Sequence, residues 1–142
     1  MIDLKVDHVG LVVPKLEPAL ETLSKQLGFE WIGLYEPVIS MHRPGRGTHD
    51  VHLRVSLSVQ VPRLEVIEAL PDSPWALAGN DALLHHVAYY AGDLPGDSRR
   101  LAAGACPIEI CGVKPDGTMP TTFTYHHILG GFRFELLQDR TS

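Results

Sequence analysis

Four residues carry the groups from which a metal site or a proton-transfer site can be built: His8, His86, Glu65 and Glu135. Imidazole nitrogens and carboxylate oxygens hold divalent cations and move protons. The chain offers each of them twice. His86 follows His8 by 78 residues and Glu135 follows Glu65 by 70, so each half supplies one histidine and one glutamate at nearly the same interval. The surroundings repeat as well, with Asp7-His8-Val9-Gly10 in the first half and His85-His86-Val87-Ala88 in the second. Gly28 and Gly104 follow their histidines by 20 and 18 residues.

Each of the four lies in a strand-like run. Side chains alternate faces along an extended chain, so His8 shares a face with Gly10 and Val12, and His86 with Ala88 and Tyr90. His85 has the opposite parity and is expected to point away from the site. The runs Arg63 to Ile67 and Phe132 to Leu137 carry Glu65 and Glu135 in equivalent places. Two carboxylates facing inward from apolar strands each cost several kcal/mol to bury unpaired, and a divalent cation neutralises both. With two imidazoles they form an N₂O₂ donor set that suits Zn, Ni, Co, Mn or Fe(II). The alternative is that the histidines are satisfied core residues and the glutamates pair with Arg54, Arg63 or Arg133. Glu68 has the opposite parity to Glu65 and is expected to be solvated or helix-facing.

The elements that must position these groups follow from periodicity. Residues 4–13 read as a strand ended by Pro14. Leu16, Leu20, Leu23 and Leu27 then form a one-faced helical stripe, with Pro18 tolerated in the first turn and Gly28 as the stop. A short strand over 31–38 precedes a break at Arg43-Pro44-Gly45-Arg46-Gly47. Val51 to Val61 alternates cleanly, with His52, Arg54, Ser56, Ser58 and Gln60 on its polar face. The second half reads as strand 83–90, helix 97–103, and strands 105–111, 119–127 and 132–138. Each half is thus expected to be βαβββ. Repeat 1 spans about 4–70, repeat 2 about 83–138, and a linker about 71–82, in one domain over 1–142.

With 142 residues, 44% of them hydrophobic, the chain can bury a real core. A net charge of −5 and no basic run longer than Arg99-Arg100 argue against a nucleic-acid partner. No segment approaches the roughly 18 apolar residues of a membrane span, and the N-terminus has charges where a signal peptide is apolar, so a cytoplasmic location is expected. Cys106 and Cys111 are poorly placed to pair and are expected to be reduced, non-catalytic thiols.

The βαβββ repeat, Asp7-His8-Val9-Gly10, His85-His86-Val87-Ala88, and one glutamate in each last strand resemble the vicinal oxygen chelate superfamily, and within it the branch of glyoxalase I and methylmalonyl-CoA epimerase. The resemblance covers residues 4–138. It implies an α+β fold in which two βαβββ repeats form a cupped open barrel, and one divalent metal held by His8, Glu65, His86 and Glu135. It further implies a homodimer and a small-molecule substrate with adjacent oxygens, such as a hemithioacetal or an acyl-CoA.

The expected reaction is isomerisation, epimerisation or lysis, through removal of the proton alpha to a metal-bound carbonyl. Glu135, and by symmetry Glu65, are the expected proton-transfer groups. Where epimerases of this kind place a carboxylate base near the end of the third strand, this chain has Thr48, His49 and Asp50. Substrate-binding residues are expected at His52, Arg54, Tyr90, Thr124 and His126. The alternatives are an Fe(II) extradiol dioxygenase using His8, His86 and Glu135, against which a carboxylate at Glu65 argues, and a non-enzymatic binding protein of the bleomycin-resistance kind.

Overall fold

Residues 2–139 are described by the computed structural model. Among them are ten strands and two helices. The strands are β1 (His8–Val13), β2 (Trp31–Tyr35), β3 (Val38–Arg43), β4 (Gly47–His52), β5 (Val55–Ser58), β6 (Arg63–Glu68), β7 (Leu83–Ala91), β8 (Ile108–Gly112), β9 (Thr121–Ile128) and β10 (Phe132–Gln138); the helices are α1 (Leu16–Leu27) and α2 (Leu94–Ala103). No described helix is long and apolar enough to cross a membrane.

The chain forms two compact units. One holds residues 7–38 and 52–85, the other residues 2–6, 39–51 and 86–139. In the first, the strands run in the order β2-β5-β6-β1, with β1 and β6 parallel. Val13, Leu16 and Val66 form its core with Leu11, Leu20, Leu23, Trp31 and Leu64, so the odd residues of β1 and the even residues of β6 face α1. The leucine stripe therefore does what its period requires. Gly28 closes the helix at φ 85°, and its amide donates to the Ser24 carbonyl. Trp31 donates its indole N–H to the Leu20 carbonyl and the Ser24 hydroxyl, which satisfies the one polar group on a ring packed against the helix.

The start of α1 is capped from a distance. Lys15 offers no side-chain cap, and the Leu16 amide donates instead to Glu68 Oε2 at 3.0 Å. Arg54 donates to that same oxygen at 2.8 Å, to Glu17 at 2.6 and 3.0 Å, and to Glu36 at 3.1 Å. Glu68 is thus helix-facing. The Arg54 hydrogen bonds hold the Glu17 carboxyl down from 4.5 to about 2.

Because the folded value lies below the unfolded one, this pair stabilises the protein above pH 4.5 and the contribution is lost as pH falls through about 2. Glu17→Gln is accordingly expected to lower the urea midpoint at neutral pH, and the gap from the wild type should close between pH 4.5 and 2. A gap that stays constant across that window would contradict the pairing.

In the second unit the order is β7-β10-β9-β8-β3-β4. β10 lies parallel to β7 and antiparallel to β9, and β3 pairs with β8 through Met41 and Gly112. Ala91, Leu94, Phe134 and Leu136 form the core under α2, with Tyr89 and Leu101 packed against it. Asp93 caps α2 by accepting from the Gly96 amide, with Pro95 in the first turn, so the helix begins three residues before the expected 97.

The βαβββ pattern holds in the second half. The first half carries five strands after its helix rather than three. The glycine-rich segment expected to break regular structure is the turn of the β3–β4 hairpin, with Gly45 at φ 81° and Gly47 at φ 79°. The single strand expected over 51–61 is divided between β4 and β5.

Candidate metal centre

Each unit presents a histidine and a glutamate on the sheet face opposite its helix. In the first, Gly10 pairs with Glu65 and His8 with Arg63, so His8, Gly10 and Glu65 share the face that α1 does not cover. The His8 Nε2 lies 3.6 Å from Glu65 Oε1, and its Nδ1 lies 2.9 Å from Asp7 Oδ2. A carboxylate only accepts, so the Nδ1–H donates to Asp7, and Nε2 is the nitrogen turned toward Glu65. This is the arrangement in which an outer carboxylate orients a metal-ligating imidazole.

In the second unit, Ala88 pairs with Glu135 across β7 and β10, and Tyr125 pairs with Glu135 across β10 and β9. The His86 Nε2 lies 3.1 Å from Glu135 Oε1. The His86 side chain is fully buried and that of Glu135 is 8% exposed, whereas Glu65 is 22% exposed.

The donor chemistry fits a first-row divalent ion. Two ligand atoms about 2.1 Å from one ion lie about 3.0 Å apart at a right angle and about 3.4 Å apart at the tetrahedral angle. Of the spacings within the two pairs, 3.1 Å falls inside that range and 3.6 Å lies just above it. Each arginine that could pair with the glutamates has an acceptor elsewhere. Arg54 binds Glu17, Glu36 and Glu68, Arg63 donates to the Ser58 carbonyl, and Arg133 binds both oxygens of Glu109 at 2.7 and 3.0 Å.

Several expected site residues are placed elsewhere. His85 points away from His86, as parity requires, and its Nε2 lies 2.6 Å from the Pro74 carbonyl. His126 is fully buried on the helix side of β9, in register with Phe134 of the core under α2. Its Nδ1–H donates to the Cys106 carbonyl and its Nε2 accepts from the Ser98 hydroxyl. Burial pushes its pKa down and keeps the ring neutral. Thr124 is in register with Leu136 and fully buried on the same side. Arg54 is committed to its three carboxylates on the α1 side. These three therefore do not line the face that carries the glutamates, contrary to the expectation for them.

The error has one cause, a polar stripe taken for a ligand-facing one. Leu57, not a polar residue, is the cross-strand neighbour of Glu65, and the hydroxyl of Ser56 is turned to the Gly33 carbonyl. Tyr90 does stand on the glutamate face, in register with Leu137. His52 is exposed at the end of β4, and Asp50 accepts from the Ser40 hydroxyl across the β3–β4 hairpin. Burial raises the pKa of the Cys111 thiol, and both cysteines are free, in keeping with their expected inert role.

Sequence reasoning took Phe123 as a core residue and gave neither it nor Tyr125 a place beside the histidine and glutamate. Tyr125 is 3% exposed, its ring centroid lies 5.0 Å from that of His86, and Phe123 meets it edge-on at 5.5 Å. The signal was the hairpin at Gly130. A turn centred there sets Ile128 opposite Phe132 and so Tyr125 opposite Glu135.

No curated protein matches the sequence. Among solved structures, a variant of Streptomyces coelicolor methylmalonyl-CoA epimerase in complex with 2-nitronate-propionyl-CoA is similar at 20% identity. It covers 96% of this chain and 97% of its own, with a TM-score of 0.67. The Mycobacterium tuberculosis methylmalonyl-CoA epimerase is similar at 20% identity, covering 94% and 87%, with a TM-score of 0.62. A hypothetical protein from Bacillus halodurans matches at 14% identity, covering 96% and 94%, with a TM-score of 0.63. These likenesses establish the expected α+β fold. A sequence model of the Glyoxalase/Bleomycin resistance protein/Dioxygenase superfamily matches residues 7–123, most of the chain, and the protein belongs to that superfamily.

Proposed function

We propose that the protein is a divalent-metal-dependent isomerase, epimerase or lyase acting on a small carbonyl compound by removing the proton alpha to the carbonyl. His8, Glu65, His86 and Glu135 are the proposed metal ligands. The observation that carries the reading is the duplicated pair, an imidazole Nε2 facing a carboxylate oxygen at 3.6 Å in one unit and 3.1 Å in the other, each on the helix-free face of its sheet. When bound, a divalent ion there supplies Lewis acidity to two adjacent oxygens of a substrate.

The chain's own residues do the rest. Asp7 fixes the tautomer of His8. Glu135, and by symmetry Glu65, accept the proton and return it. Tyr90, Leu137 and Phe123, in register on the same face as Glu135, keep water from the carboxylate and offer an apolar surface to the substrate. Hemithioacetals, and acyl-CoA esters that carry a second oxygen donor at the alpha carbon, combine an acidic alpha proton with two oxygens that a metal can hold. Two of the solved structures of epimerases similar in fold hold 2-nitronate-propionyl-CoA and methylmalonyl-CoA, which supports the second class. On the same reading the protein is a homodimer, which sedimentation equilibrium would test.

The experiment is metal analysis of untagged protein followed by a solvent deuterium screen with 2-oxoaldehyde hemithioacetals and acyl-CoA esters. About one equivalent of metal per chain, lost on chelation and restored on reconstitution, with deuterium entering the alpha position only in the loaded protein, is the expected result. Turnover with neither deuterium incorporation nor a kinetic isotope effect on substrate deuterated at the alpha position would remove proton abstraction as the mechanism, and a protein that takes up no metal would remove the centre.

A further inference from the structure

His8 is oriented through its Nδ1 by the carboxylate of Asp7. The residue preceding His86 is His85, which points to the Pro74 carbonyl and cannot play that part. Tyr125 lies against the His86 ring, tilted 35° to it with centroids 5.0 Å apart. Tyr125 is the cross-strand partner of Glu135, so the same β9–β10 register sets both the carboxylate and the ring that bound the imidazole. Phe123 in turn meets Tyr125 at 69°, an edge contact that holds the tyrosine ring in plane.

We infer that Tyr125 is a positioning residue for His86: its ring, braced by Phe123, keeps the imidazole from turning its Nε2 away from Glu135. The inference rests on the reading of His86 as a metal ligand. An imidazole packed against an aromatic ring cannot rotate without clashing with it. A branched aliphatic side chain in place of the ring leaves space on that face and frees the rotation. The ring rather than the hydroxyl performs this function, so phenylalanine should replace tyrosine and leucine should not.

The test is Co(II) titration of the apo-protein, following affinity and the paramagnetically shifted imidazole N–H signals by NMR. Tyr125→Leu is expected to weaken Co(II) binding about tenfold, the lower end of what the loss of an orienting neighbour costs a metal site. It should broaden or shift the one signal that is missing in His86→Ala, leaving the His8 signal in place. Tyr125→Phe should bind within about twofold of the wild type, a span small beside the effect of losing an orienting group. Phe123→Leu should show a smaller loss in the same signal, and it serves as the test should Tyr125→Leu not fold.

Tyr125→Leu binding as tightly as wild type while His86→Ala loses the metal would overturn the inference alone. Tyr125→Phe losing as much as Tyr125→Leu would overturn it too, by moving the role to the hydroxyl. His86→Ala retaining full affinity would overturn the ligand reading and this inference with it.

Discussion

His86→Ala is expected to leave the protein folded with its metal affinity reduced at least about a hundredfold, whereas His85→Ala should keep the metal and lose stability instead. Removing one of four ligands deletes a coordinate bond and leaves a buried carboxylate, Glu135, without its imidazole neighbour. The adjacent histidine has a different task. His85 is 3% exposed, its ring lies over Trp75 at 6.4 Å and 24°, and its Nε2 meets the Pro74 carbonyl at 2.6 Å.

Trp75 itself is 1% exposed, and its carbonyl accepts from the Leu70 amide. His85 therefore pins the segment that joins β6 to β7. Its removal leaves a buried carbonyl unsatisfied and exposes a face of Trp75, a loss of about 1–3 kcal/mol. Elemental analysis of the two variants, together with urea unfolding, separates the roles. Equal metal loss from both would mean that the parity assignment on β7 is wrong.

Gly112→Ala is expected to destabilise the protein by about 3 kcal/mol or to prevent folding, the upper range of overpacking costs, because the obstacle is backbone and cannot rotate aside. A Cβ built on Gly112 would stand 2.2 Å from the Thr121 carbonyl oxygen and 3.3 Å from its carbon. β8 and β9 approach so closely there because the register shifts between Cys111 and Gly112. The strand displaced by the clash is β9, which carries Phe123 and Tyr125. Near-UV circular dichroism should therefore change even in the fraction that folds. Gly131→Ala is the control. Nothing lies within 4 Å of its Cβ position, and its unfolding midpoint should match the wild type. A Gly112→Ala protein as stable as that control would show that the strands can separate at no cost.

The two histidines and two glutamates were legible because a strand's period of two is enforced by a buried face. Parity alone separates His86 from His85 and Glu65 from Glu68, and each separation is seen. Parity does not reveal which stripe of a given strand faces the ligand. That depends on register against the neighbour, and register is set by turns. Arg54, Ser56 and Ser58 looked like a solvent-facing stripe, yet they face α1 or adjoining backbone, where Glu17, Glu68 and free carbonyls receive their protons.

On β9 the same mistake put Thr124 and His126 in place of Phe123 and Tyr125. His126 is buried against the helix with a partner for each ring nitrogen, Ser98 and the Cys106 carbonyl, whereas the Thr124 hydroxyl is buried with no hydrogen-bond partner among the described residues. The β3–β4 hairpin was hidden for a related reason. Pro44 and Gly45 mark a turn equally well whether the flanking chain is loop or strand.

The placement of the aromatic residues gives the two units separate spectroscopic identities. The two tryptophans in the sequence, Trp31 and Trp75, both lie in the unit of residues 7–38 and 52–85 together with Tyr35, while the other three tyrosines, Tyr89, Tyr90 and Tyr125, lie in the second unit. Red-edge excitation, which selects indole over phenol, therefore follows the unfolding of one unit alone. The unit that carries His86 and Glu135 is silent in that signal, and three of the four tyrosines report on it.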